Sequence, residues 1–212
     1  MLNLQAPGFF FLDADCVLCG ASSRGLVCAE CTRALPECGS CGANSPGIDD
    51  AIAVFDYRFP VDRLMLRFKY AGDLAIGRWL AERLADRVRA SERPDFVVAP
   101  PSTVARLHLR GFNPALEIAK VVARSIAVPI ALEGLERSRE TAPQPGLGRA
   151  ERERNLRNVM RSRLCLAGRH VALVDDVMTT GATANAAAKV LKERGAARVS
   201  VWVVARTPEP HV

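Results

Sequence analysis

The sequence predicts an α/β fold: a parallel sheet with helices on both faces, preceded by a small N-terminal module of the Cys₄ zinc type. Three observations carry this reading. Short apolar runs at 51–57, 96–101, 171–174 and 198–206 alternate with segments of helical period at 74–90, 113–127 and 184–194, the pattern of a sheet buried on both sides. Six of the seven cysteines crowd into the first 41 residues as three C-x-x-C pairs. Between the two regions, GANSPGIDD (42–50) interrupts any periodicity with glycine, proline and asparagine. The expected domains are therefore a cysteine-rich module over 1–48 and an α/β domain over 49–212.

Composition frames these elements. With 212 residues, 49% hydrophobic and 25% charged, the chain can bury one sizeable core beside a small metal-stapled module. No stretch approaches the apolar length of a membrane span, so no membrane insertion is expected. The start, MLNLQAPGFFFLDAD, has no basic n-region and an apolar run of only four residues, Phe9 to Leu12. It does not fit a signal peptide, and a cytoplasmic location with reduced thiols is expected.

The cysteine pairs come first in the chain: Cys16/Cys19, Cys28/Cys31 and Cys38/Cys41. A two-residue spacer lets both sulfurs of a knuckle face one ion, and two knuckles complete a tetrahedral Cys₄ zinc site. Cys16/Cys19 leads into Gly20, suited to a tight knuckle, and Cys28/Cys31 runs into a segment able to begin a helix. A ribbon using the first and third pairs is the alternative, and the spacing alone leaves both open. Cys165 stands apart as a packed thiol.

In the second region, AIAVFDY (51–57) reads as a strand. A helix over 74–90 carries Ile76, Leu80, Leu84 and Val88 on one stripe. FVVAPP (96–101) is a strand closed by prolines, 100–113 a loop holding Arg106 and Arg110, 113–127 a helix, and 198–206 the last strand. Ligands in such sheets sit beyond the carboxyl ends of the strands. The loop with Arg106 and Arg110 would therefore face the same place as the end of the 171–174 strand, where guanidinium groups could neutralise a diphosphate.

Residues 171–183, VALVDDVMTTGAT, carry the most chemistry. Four apolar residues make a buried strand, Asp175 and Asp176 follow at its end, and Thr179, Thr180, Gly181, Ala182 and Thr183 form a small-residue loop before a helix that Gly195 closes. Amides at a helix start lack intrahelical partners and favour an anion, so this loop is a phosphate cradle. The carboxylates cannot share that phosphate; they suit the hydroxyls of a polyol or a hydrated Mg²⁺ beside it. A ribose 5-phosphate satisfies both halves.

Four apolar residues, Asp-Asp and Thr-Thr-Gly-x-Thr resemble the phosphoribosyl pyrophosphate (PRPP) signature of type I phosphoribosyltransferases. The resemblance implies that Asp175 and Asp176 bind ribose and that Thr179 to Thr183 hold the 5-phosphate. RFKYAGD (67–73), RLHLRGFN (106–113), the spaced Gln144, Leu147, Arg152 and Asn155, and LVDDVMTTGAT (173–183), behind the cysteine cluster, narrow the resemblance to the ComF family. This chain reads Val98-Ala99-Pro100-Pro101 where the family commonly has V-P-x-P, and Pro114 where it has Gln. Many members carry a fourth cysteine pair, absent here, which implies that Cys16, Cys19, Cys28 and Cys31 form the zinc set and that Cys38 and Cys41 are a relic.

What the family implies for function is PRPP binding with Mg²⁺, and transfer of phosphoribosyl to an acceptor. Arg106, Arg110 and Lys69 would lie near the diphosphate. The net charge of +6 is concentrated in residues 137–163, with eight arginines against three glutamates; the resemblance implies a loop that closes over PRPP. The same arginines, including Arg149, Arg152, Arg154 and Arg157, beside Phe68 and Tyr70, support a second reading: a competence factor that tracks single-stranded DNA. Against it stands an aromatic content of 6%. A third reading is a PRPP-sensing protein whose zinc module docks a partner, such as another competence protein.

Overall fold

The computed structural model describes residues 14–39, 46–137 and 160–208. The chain divides into two compact units, Met1–Leu35 and Pro36–Val212. In the first, β1 (Ala14–Asp15) pairs antiparallel with β2 (Ser22–Ser23), and α1 spans Ala29–Arg33. The turn between the strands closes with the Gly20 amide on the Cys16 carbonyl and the Cys16 amide on the Ala21 carbonyl, both at 2.8 Å. Gly20 has φ 74°, a conformation open to glycine at no Cβ cost.

The second unit is built on four parallel strands in the order β3-β8-β7-β4. They are β3 (Asp50–Asp56), β4 (Phe96–Val98), β7 (His170–Met178) and β8 (Arg198–Arg206). The interior of β8 is wholly buried, as is most of β7, which is why these strands read as unbroken apolar runs rather than alternating ones. Two short strands, β5 (Glu136–Arg137) and β6 (Met160–Arg161), pair antiparallel beside this sheet.

Helices cover both faces. On one, α3 (Leu74–Val88) and α5 (Pro114–Ser125) pack together and against the sheet; on the other lies α6 (Ala182–Glu193). Asp73 caps α3, its carboxylate accepting the Ile76 amide, and the stripe Ile76, Leu80, Leu84 and Val88 is buried. Pro114 opens α5 at a position where its missing N–H costs nothing. Two further helices stand at the carboxyl end of the sheet, α2 (Val61–Ala71) and α4 (Val104–Arg110).

Three elements differ from the sequence reading. Segment 100–113, read as a loop, contains α4: Thr103 caps it by accepting the Arg106 amide, and Gly111 ends it with φ 77°. Strand β4 stops at Val98, since Pro100 and Pro101 offer no amides for a ladder. Strand β7 runs on to Met178, so Asp175 and Asp176 lie inside it rather than after it, with Asp175 opposite Val203. Consequently α6 begins at Ala182, and Ala182 and Thr183 form its first turn.

Candidate functional site

The carboxyl end of β7 gathers the chemistry. Asp175 and Asp176 emerge there partly buried, and the exposed Thr179 and Thr180 follow before Gly181, whose φ of 73° turns the chain into α6. The Asp176 amide donates to Asp175 Oδ1 at 2.8 Å, and the Val177 amide to Asp176 Oδ1. Burial, and then the neighbouring Asp176 charge, raise the Asp175 carboxyl to about 7, against the downward pull of Lys69.

Three consecutive residues of α2 fix the surroundings of this pair. Phe68 is fully buried, with its ring centroid 5.3 Å from that of Phe112, so it offers no surface on which a base could stack, contrary to the expectation from sequence. Lys69 extends Nζ to 2.9 Å from Asp176 Oδ2. Tyr70 accepts a hydrogen bond from Arg110 Nη2 at 3.0 Å and lies beneath that guanidinium, with Cζ 4.7 Å from the ring centroid. One helix thus ties the acidic pair to the arginine-bearing segment. Arg106, in the first turn of α4, is exposed.

Tyr57 was not singled out by sequence reasoning. It follows β3, its amide donating to the Arg206 carbonyl at 2.7 Å. Burial and the charges of Asp62 and Asp176 raise its phenol above the ordinary range. Its signal was its place as the last residue of the 51–57 run, at the carboxyl end of a strand.

The N-terminal unit holds a second cluster. The sulfurs of Cys16, Cys19, Cys28 and Cys31 all lie within 4.8 Å of one another. Cys19 and Cys28 are 3.8 Å apart, the edge of a tetrahedron with metal–sulfur bonds of about 2.3 Å. The Cys28 amide donates to Cys16 Sγ at 3.3 Å and the Cys31 amide to Cys28 Sγ at 3.4 Å, so Cys28 caps α1 through its sulfur. The first of these bonds pulls the Cys16 thiol down to about 6, while bonds with the Cys19 and Cys28 sulfurs push Cys31 up to about 12. Four thiols this close can share one metal ion.

Cys165, expected to be a packed thiol, is exposed. Cys38 lies in the second unit. Its amide donates to the Val54 carbonyl at 2.8 Å, and its side chain is buried in the core beside the sheet. Cys41 lies outside the described residues, as do Gln144, Leu147, Arg149, Arg152, Arg154, Asn155 and Arg157 and most of the 137–163 segment. Among the described residues, no helix is long and apolar enough to cross a membrane.

A family model described as a phosphoribosyl transferase domain matches residues 71–211. DNA utilization protein YhgH of Escherichia coli strain K12 is 32% identical over 204 residues, covering 91% of this chain and 90% of that protein. Competence protein F of Haemophilus influenzae is 32% identical over 225 residues, covering 92% and 98% respectively. Among solved structures, glutamine PRPP amidotransferase from B. subtilis is similar at 22% identity and a TM-score of 0.45, covering 65% of this chain and 30% of that one. The chain therefore belongs to the phosphoribosyl transferase domain family and, with these curated relatives, to its ComF branch.

Proposed function

We propose that the chain binds PRPP with Mg²⁺ at the carboxyl end of β7 and transfers the phosphoribosyl group to an acceptor nucleophile. The observation that carries this reading is the continuity of one short segment: a partly buried acidic pair, two exposed threonines and a left-handed Gly181 leading directly into a helix. Asp175 and Asp176 hold the ribose hydroxyls. Thr179, Thr180, Gly181, Ala182 and Thr183 surround the 5-phosphate with amides and hydroxyls. Lys69, Arg106 and Arg110 take the diphosphate, which leaves with the electron pair of its bond to ribose C1 as the acceptor bonds to that carbon.

The donor set fits Mg²⁺, since Asp175 and Asp176 offer hard carboxylate oxygens. When bound, the ion neutralises diphosphate charge. The Cys16, Cys19, Cys28 and Cys31 thiols fit zinc in a closed structural site, with all four positions filled by sulfur. Calorimetric titration of Mg²⁺ with PRPP, beside the Asp175→Asn/Asp176→Asn variant, tests the pocket. Binding lost in the variant is the expected result; no binding by the intact zinc-loaded protein refutes the reading.

The exposed face of α2 favours a second reading. Phe59, just before α2, and Tyr70, within it, are 74% and 59% exposed; on the same helix the side chains of Arg63 and Arg67 are 70% and 48% exposed. Aromatic rings among arginines suit a single strand that stacks its bases and lays its phosphates on cations. The relatives' names, competence protein and DNA utilization protein, agree with such a ligand. A salt-dependent affinity for oligothymidine that falls in Phe59→Ala would support it.

A further inference from the structure

We propose that Tyr70 is a positioning residue that holds Arg110 ready for an anionic oxygen; this rests on the reading above that the diphosphate lies there. Arg110 is the last residue of α4, a helix with no buried residue, so the core does not fix its side chain. Tyr70 does. The ring covers one face of the guanidinium, with Cζ 4.7 Å from the centroid, and the phenol oxygen accepts from Nη2 at 3.0 Å. At 59% exposure, Tyr70 is not a core residue.

Arg110 Nε is buried and has no hydrogen-bond partner among the described residues. A buried guanidinium N–H left unpaired is costly, and a charged oxygen acceptor removes that cost with a strong charge-assisted bond. The backbone beside Tyr70 is anchored by its neighbours, Phe68 against Phe112 and Lys69 against Asp176. The ring is therefore a fixed support, and Arg110 meets its ligand with little rotamer freedom left to lose.

The test is calorimetry with two probes, inorganic pyrophosphate with Mg²⁺ and ribose 5-phosphate, on the intact protein, Tyr70→Leu and Tyr70→Phe. Tyr70→Leu should weaken pyrophosphate up to about tenfold, the cost of ordering on binding a guanidinium that the ring no longer holds in place. It should leave ribose 5-phosphate unchanged. Tyr70→Phe keeps the stack and should recover most of the loss. Equal pyrophosphate affinity in Tyr70→Leu overturns the inference, and so does an equal loss of both probes, which marks a general structural role. An intact protein that binds ribose 5-phosphate but not pyrophosphate overturns it while sparing the phosphate loop. Binding of neither probe overturns the PRPP reading and this inference together.

Discussion

Lys69 Nζ lies 2.9 Å from Asp176 Oδ2, and each side chain keeps only 14% of its surface in solvent. Among the described residues Lys69 is the cation paired with Asp176, so its loss removes that counter-charge from two clustered carboxylates. Lys69→Met should destabilise the protein at pH 8 by about 2–3 kcal/mol, below the range for a fully buried pair because this one is partly solvated. The loss should shrink near pH 5, where Asp175 is protonated. Urea unfolding at the two pH values checks both statements.

Asp175 gives stability a pH dependence of known sign. Its carboxyl titrates at about 7 in the fold against an ordinary value of 3.8, so between these values the folded state holds a proton that the unfolded state has lost. Stability contributed by this group therefore falls as pH rises from about 4 to 7, by at most roughly 4 kcal/mol at 1.36 kcal/mol per unit. Asp175→Asn should flatten that slope and stabilise the protein at pH 7.5. A slope unchanged in the variant would assign it elsewhere.

Gly77 is required by Phe68. A Cβ at Gly77 would stand 2.3 to 2.9 Å from three ring atoms of Phe68, and that ring is fully buried. Gly77→Ala should cost about 1–3 kcal/mol by overpacking, although alanine gains about 1 kcal/mol of helix propensity. Denaturant unfolding measures the net loss, and Phe68→Leu in the same chain should restore part of it.

Metal content discriminates among the cysteines. One zinc per chain is expected by mass spectrometry, lost in Cys16→Ser and Cys31→Ser and retained in Cys38→Ser and Cys165→Ser. Chelation should unfold the N-terminal unit, whose described strands are two residues each and whose helix buries no residue, because binding energy in such a module is folding energy. The cooperative transition of the larger unit should persist.

Much of the α/β region was legible because burial imposes a pattern. Strand β8 matches its sequence reading, and the stripe from Ile76 to Val88 marks α3. Helix α4 was illegible for the opposite reason: Val104, Leu107 and Leu109 are all exposed, so no core-facing period announces it. Its remaining signals were Thr103 and Gly111, ordinary loop residues as well as caps. The far end of β7 was missed because carboxylates are poor strand formers; the ladder to β8 at Asp175, Val177 and Met178 overrides that preference. Which cysteine pairs converge was not legible from spacing, since all three share it.

The three-residue length of β4 has a consequence for access. It accompanies β7 from Val171 to Leu173, and beyond that point β7 is laddered to β8 alone among the described residues. The acidic pair thus sits where the sheet has a gap along one flank, a notch cut by two prolines. A ligand bound at the acidic pair, as proposed, displaces no ladder bond on that flank, so the rigid centre of the sheet and the proposed site share one strand.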